Sequence, residues 1–265
     1  MVPFVALMRR YCIDYTNSHD QTVCDDIMHP DYVVHISQWD LPRDALYKPA
    51  VKQVFERFPG LGLQVHEFVT NGDRLAMRFS EHGASPAHEG RYAAWGGIGV
   101  YKWNGSQLVE NYVEQDFLAQ EAQLSAVCAA APLEPPHLDP WIGTRAEPRN
   151  ADAEAIAREW LIRGDLRDAP EVIVDGSWYE PLAPSPIEVE SVVVNDLFSA
   201  GQRVAFHVTQ TGVYIGGLPR VGEARRGRPA RLDCVGLATI AGGRIAAVRA
   251  ITDRLGTARA LVAKA

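Results

Sequence analysis

The chain has 265 residues, more than one compact domain needs and enough for two of about 110–130 residues each. An apolar fraction of 47% and a charged fraction of 22% are those of an ordinary soluble globular protein. The formal net charge of −7 argues against general binding of nucleic acid or anionic membranes, which needs a basic surface.

Phe4, Leu7, Met8, Tyr11 and Tyr15 fall on one helical face, so residues 4–17 are expected to form an amphipathic helix. The apolar start, Met1 to Met8, is followed rather than preceded by charge (Arg9, Arg10) and is too short to span a bilayer; no targeting signal is visible. Asp20 can cap a second helix with Val23, Cys24, Ile27 and Met28 inward, stopped by Pro30. Tyr32–Ile36 reads as a short strand. Pro49 suits the start of a third helix that turns Val51, Val54, Phe55 and Phe58 inward before the Pro59-Gly60 stop. Four strands follow at Leu61–Val69, Leu75–His82, Arg91–Lys102 and Leu108–Asp116, with hairpin turns at Asn71-Gly72-Asp73 and Asn104-Gly105.

Residues 126–150 carry Pro132, Pro135, Pro136, Pro140 and Pro148 and no apolar period, which reads as a linker on which Trp141 and Ile142 dock against a domain. Asn150 then caps a helix bearing Ala153, Ile156, Ala157 and Trp160. Strands are predicted at Ile187–Asn195, Arg203–Thr211, Leu232–Ala241 and Ile245–Asp253. The second half therefore repeats the first. Pro181, Pro184 and Pro186 replace its third helix, and Asp175-Gly176-Ser177-Trp178 stands where the first half has Asp31 to His35. The last strand occurs twice, as L-V-E-N-Y-V-E-Q-D (108–116) and I-A-A-V-R-A-I-T-D (245–253), each with an apolar residue eight positions before an aspartate. Strict alternation would send both ends of that span into the core. The plan is α+β: two tandem cone-shaped barrel domains, each a curved antiparallel sheet wrapped around N-terminal helices. The divisions are 1–125, the linker 126–150, and a shortened second domain over 151–265.

The segment H-P-D-Y-V-V-H (His29 to His35) after a second helix, with Y-V-E-Q-D closing the last strand, resembles the SnoaL-like polyketide cyclases, a branch of the nuclear transport factor 2-like cone fold. Tyr112, Asp116 and Gln123-Leu124 match the family's aromatic residue, aspartate and helix end. In the second half Asp253 remains while Arg249 replaces the aromatic residue. The resemblance covers most of residues 5–125 and, more weakly, 150–262. It implies a cofactor-independent enzyme, a cyclase, isomerase or dehydratase, acting on a hydrophobic polyketide- or steroid-like carbonyl compound. Asp116 would be its general acid/base, with His35 orienting it or the substrate.

Tyr112, Trp95, Tyr15 and Phe55 are the expected pocket walls, and Asp253, Arg249 and His207 the candidates in the second domain. Each has a plainer reading: Asp116 as a helix cap, His35 as a satisfied strand histidine, the aromatics as core. His82 and His88 flank a polar loop, and the five arginines of Arg220–Arg231 are as readily a solvated hairpin as an anion site. Asp40 and Glu67 form an acidic pair of the kind epoxide-opening cyclases use, whereas epoxide hydrolysis would need an arginine held between two aspartates. No zinc, calcium, dinucleotide or P-loop signature is present, so neither metal nor cofactor is expected. Scattered Cys12, Cys24, Cys128 and Cys234 fit reduced thiols in a cytoplasmic protein. The expected partner is a hydrophobic small molecule, the two halves forming an internal pseudo-dimer that leaves further homodimerisation open. The alternatives are an epoxide hydrolase or epoxide-opening cyclase, and a non-catalytic binding or accessory protein.

Overall fold

The computed structural model describes residues 1–134, 139–176 and 179–263. Pro135 and Pro136 of the linker, and Ser177-Trp178 of the second half, lie outside the described residues. The first half runs α1 (Pro3–Arg9), continued as a wider π-helical stretch to Asn17, α2 (Cys24–Ile27), β1 (Met28–Ile36), β2 (Trp39–Pro42) and α3 (Lys48–Arg57). Then come β3 (Gly62–Thr70), β4 (Arg74–Ser85), β5 (Arg91–Trp103), β6 (Leu108–Gln115) and α4 (Phe117–Leu124). Asp20 accepts from the Thr22 amide at the start of the second helical segment. Gly72 and Gly105 turn the two hairpins at φ 97° and 96°, a conformation a side chain would resist.

After a short α5 (Pro140–Gly143), the second half has α6 (Ala151–Leu161), β7 (Glu171–Val174), β8 (Ile187–Ala200), β9 (Arg203–Tyr214), β10 (Pro229–Ala241), β11 (Arg244–Thr252) and α7 (Arg254–Val262). Asn150 caps α6 through the Ala153 amide. The sheets are ordered β2-β1-β6-β5-β4-β3 and β7-β11-β10-β9-β8, one plan used twice with β2 omitted from the second copy. In each, a short early strand lies parallel to the last one, β1 beside β6 and β7 beside β11. The second copy of β1 is thus Glu171–Val174, just before the tetrapeptide the sequence suggested. Both halves are α+β cones.

The two sheets pack back to back. Val69, Ala76, Ile98 and Val100 of the first sheet meet Phe198, Ala205, Val235 and Leu237, the residues at the same register positions of the second. Polar contacts repeat under the same exchange. Arg74 pairs with Asp196, and its register equivalent Arg203 pairs with Glu67 at 2.9 Å, Glu67 being the equivalent of Asp196. A patch that contacts its own copy in this way is isologous.

Within the first cone, α1 and the strands' inner faces supply the core: Phe4, Met8, Tyr15, Met28, Leu75 and Met77 are all but inaccessible. Helix α3 departs from expectation. Val51, Val54 and Phe55 roof a hollow instead of filling a core, and Val54 keeps 37% of its surface. The second cone's interior is packed instead, with Trp160 edge-on to Phe206 at 6.0 Å among Val204, Val208 and Val248. The hollow of about 570 Å³ in this half lies outside that core, between α6 and the β10–β11 turn, lined by Glu159, Arg163, Arg167 and Asp168. Trp141 docks on Phe68 with ring centres 5.3 Å apart, while Ile142, its neighbour on a helical turn, points away and is exposed.

Candidate active site

The repeated aspartate does not enter the cone. On β6 Leu108 pairs with Trp103, but Glu110 pairs with Lys102, so one extra residue is inserted at Val109. The same bulge recurs on β11, between Ile245 and Ala247. A bulge shifts the phase of everything after it. Leu108 therefore faces inward, and so do Asn111, Val113 and Gln115, which line the hollow. Tyr112, Glu114 and Asp116 turn to the sheet's other face, toward the second domain. The eight-residue spacing from apolar residue to aspartate spans two faces, not one, and that corrects the expectation drawn from alternation.

What does enter the cone is Glu81. On β4 the inward phase runs Leu75, Met77, Phe79, Glu81, and Glu81 lies across from Leu63 on β3 and Trp95 on β5. It lines a cavity of about 580 Å³ walled by Tyr11, Tyr15, Tyr47, Phe55, Phe79 and Trp95. Among the described residues the Glu81 carboxyl has neither an ion-pair nor a hydrogen-bond partner. It is half-buried in the cavity wall, and that burial pushes it from the ordinary 4.5 up to about 7. A carboxyl with no cation beside it stays in an apolar wall at this cost.

Polar groups are few and placed. Tyr32 Oη donates to Asn111 Oδ1 at 2.8 Å, leaving the amide nitrogen of Asn111 with no acceptor among the described residues. Trp95 Nε1 donates to Gln115 Oε1 at 2.6 Å. Tyr11 and Tyr47 share a hydrogen bond of 3.1 Å. Tyr15 Oη, buried near Tyr47 and Cys24, makes no well-formed hydrogen bond with either. Burial pushes the phenols of Tyr11, Tyr15 and Tyr47 upward, so they remain protonated donors at any ordinary pH. An unpaired carboxyl and several hydroxyl or amide donors in an apolar hollow can move a proton and hold a developing oxyanion.

The other predicted residues divide cleanly. Tyr15, Phe55 and Trp95 line the cavity as expected. His35 does not: its Nδ1 lies 2.6 Å from Asp40 and its Nε2 3.2 Å from Glu110, and its ring stacks on Tyr112 at 4.3 Å. The flanking Val34 and Ile36 are the β1 residues that face the hollow. Tyr112 is stacked between His35 and His207, the latter at 4.9 Å, in the interdomain layer. His207 is pushed down to about 3 by burial and sits 3.4 Å from Glu114, whose carboxyl burial pushes well up. Arg249 binds Glu134 at 3.0 Å. Asp40 and Glu67 are not a pair: Asp40 holds His35, and Glu67 holds Arg78 at 2.7 Å and Arg203. His88 lines the cavity's rim, with its Nδ1 2.9 Å from Ser85 Oγ.

Asp116 caps α4, accepting from the Ala119 amide at 3.1 Å, and both its oxygens lie 2.8 Å from Arg254 Nη2. Arg254 Nε is 3.0 Å from Asp175, at an angle poor for a hydrogen bond. Burial opposes the Arg254 charge, but the two aspartates outweigh it and hold the guanidinium ionised. Burial raises Asp175 to about 6 in spite of Arg254. The space beside this trio is about 50 Å³, room for ordered water and not for an organic substrate. Asp253 likewise caps α7 through the Gly256 amide at 2.8 Å, and burial raises its carboxyl. Among the described residues no three His, Cys, Asp or Glu side chains are placed to hold a metal ion, and no helix is long and apolar enough to cross a membrane.

The second cone has lost the acid. Gly96 and Asp233 occupy one register position, since each carbonyl accepts the amide of its half's terminal aspartate, at 2.9 Å in both. One residue earlier, Trp95 pairs with Glu81 and Leu232 pairs with Gln210. Gln210 is the Glu81 position with an amide in place of the acid, and its Nε2 donates to the Gly164 carbonyl at 2.8 Å.

Residues 6–124 match the family model described as SnoaL-like polyketide cyclase. No curated protein matches the chain. Among solved structures it is similar to AclR from Streptomyces galilaeus, at 16% identity over 50% of this chain and 87% of that one, TM-score 0.44. It is also similar to IdmH from Streptomyces antibioticus, at 19% identity over 47% and 99%, TM-score 0.42. TsrD from Streptomyces laurentii matches at 23% identity over 47% and 96%, TM-score 0.40. Through residues 6–124, the first cone of this chain is similar to the SnoaL-like polyketide cyclases.

Proposed function

We propose that the first domain, residues 1–125, is a cofactor-independent acid/base catalyst for a hydrophobic polyketide-like carbonyl compound, with Glu81 as the group that carries the proton. The single observation behind this is an unpaired carboxyl, raised to about 7, in the wall of an aromatic cavity of about 580 Å³. A base works best when its pKa lies near the working pH, and a cavity of this size suits a compound of several fused rings.

In this reading the Glu81 carboxylate takes a proton from a carbon beside a carbonyl, and the electron pair of that C–H bond becomes an enolate. The Asn111 amide and the cavity phenols hold the enolate oxygen. In a cyclisation, the enolate carbon then adds to a second carbonyl of the same molecule, forming the C–C bond. The Glu81 acid returns its proton to the new alkoxide, so the group ends as it began. In an isomerisation no C–C bond forms, and the Glu81 acid returns the proton to another carbon of a conjugated enolate. In a dehydration it protonates a β-hydroxyl, which leaves as water as the enolate's electron pair forms the C=C bond.

Epoxide opening is the second reading, because Arg254 between Asp116 and Asp175 is the arrangement it calls for. Volume weighs against it: a space of about 50 Å³ has no room for the epoxide. We assign the trio to domain joining and the second domain, with Gln210 for Glu81 and a filled cone, to support of the first.

The test is hydrogen exchange. A cyclic diketone is incubated with the protein in heavy water, and loss of its α-proton signal is followed by NMR. Wild type accelerates exchange and Glu81→Gln does not, whereas Asp116→Asn retains acceleration per folded molecule. Exchange that survives Glu81→Gln but is lost in folded Asp116→Asn returns the role to Asp116.

A further inference from the structure

We propose that the mouth of the Glu81 cavity reads a carboxylate, so that the substrate is a fused-ring carbonyl compound carrying a free acid group at the end opposite its reacting carbon. The inference rests on the cavity being the active site.

Three guanidiniums line the cavity from three separate elements: Arg57 at the end of α3, Arg91 at the start of β5, and Arg259 on α7 of the second domain. Among the described residues only two carboxyls line it, Glu81 and Glu121. Glu121 is already shared between Arg220 and Arg259, the latter at 3.8 Å. Arg91 is fixed by the Leu124 carbonyl at 3.1 Å and by Glu89 at 2.7 Å. Arg57 has no ion-pair partner among the described residues and is exposed, with its guanidinium 5.3 Å from the centre of the Phe58 ring. On a chain of net charge −7, this is a local excess of positive charge at the entrance to an apolar hollow.

A guanidinium offers a planar fork that meets a carboxylate with two hydrogen bonds, and stacking on an aromatic ring holds the fork in place. A neutral ring compound gains nothing from that rim. A carboxylate carried inward would instead face Glu81 and repel it once ionised. The anionic end therefore stays at the mouth while the carbonyl end reaches the acid. This also gives the second domain a part in recognition, through Arg259 and its neighbour Leu255 on the cavity wall.

The experiment compares naphthol with hydroxynaphthoate by fluorescence titration, using wild type, Arg57→Ala, Arg57→Lys and Glu81→Gln. The carboxylate ligand should bind about tenfold tighter than naphthol, as an added charge-assisted contact implies. That advantage is lost in Arg57→Ala, is only partly kept in Arg57→Lys, which retains the charge but not the fork, and shrinks at about 0.5 M salt, where exposed charges are screened. Naphthol affinity stays the same in wild type and both Arg57 variants. Equal affinity for the two ligands, or an Arg57→Ala loss of equal size for both, overturns the carboxylate inference alone. Failure of both ligands to bind overturns the active-site reading together with it. If naphthol binds with a pH profile that Glu81→Gln leaves unmoved, the catalytic reading falls, and the rim is then judged by the carboxylate advantage alone.

Discussion

Arg254, the first residue of the C-terminal helix, lies 2.8 Å from both carboxylate oxygens of Asp116, at the foot of the first sheet's last strand. The aspartate that ends the last strand in each half is thus a joint. Asp116 caps its own helix and ties the second domain's helix to the first domain, in a position almost closed to water. A buried pair of this kind is expensive to break from one side, because the remaining charge has nowhere to go.

Asp116→Asn should accordingly lower stability by about 3 kcal/mol in chemical denaturation, the low end of the cost of breaking a buried pair, because Asp175 still faces Arg254. Adding Arg254→Met together with Asp175→Asn should recover part of that loss, since the triple variant buries no lone charge. Ligand affinity of the first cavity, measured per folded molecule, should hardly change in either. A triple variant no better than Asp116→Asn would mean that the cap, not the ion pair, carries the energy.

The second cone should not tolerate an acid. Gln210→Glu places a carboxyl in a filled interior and removes the donor to the Gly164 carbonyl. The expected cost is about 2–3 kcal/mol near neutral pH. Thermal melts should show the deficit shrinking on acidification, as the new carboxyl takes up a proton. A neutral effect would mean that the second interior holds room or water.

Glu81 makes a stability prediction of its own. Its folded-state carboxyl is raised from 4.5 to about 7, so its contribution is fully favourable below about pH 4.5 and is lost as pH rises through 7. At about 1.4 kcal/mol per pH unit, Glu81→Gln should gain roughly 2.5 kcal/mol on wild type between pH 5 and pH 8. Denaturation of both proteins at the two pH values checks it. Parallel curves would mean that Glu81 titrates normally.

Much of the fold was legible. The four long strands of each half, the hairpin glycines, the Asn150 cap and the tandem plan follow from local signals. The four-residue strands β2 and β7 do not, and the second helix gives way to β1 at Met28, short of the Pro30 stop. The inward face of β4 was legible too: Leu75, Met77 and Phe79 alternate into the core, and the next residue in phase is Glu81. The repeated aspartate is the stronger signal in the sequence, but it lies on β6, where the phase is broken. A bulge at Val109 or Ala246 leaves no mark in composition, since an ordinary apolar residue sits in it. Nor is the grip of Arg254 on Asp116 readable, because two residues so far apart along the chain meet only after both sheets have formed. His35 lies on the predicted strand, but β1 presents Val34 and Ile36 to the hollow, and a histidine between them has to face the other way.

The central claim is that a carboxyl raised by the cavity, not the strand-end aspartate, governs ligand binding. The direct measurement is the affinity of a fluorescent polycyclic phenol from pH 5 to pH 9, for wild type, Glu81→Gln and Asp116→Asn. A bound phenol resembles an enolate and senses the protonation of the acid beside it. The account predicts that wild type and Asp116→Asn share a transition near pH 7, and that Glu81→Gln binds without one. A transition that persists in Glu81→Gln and vanishes in Asp116→Asn would contradict it.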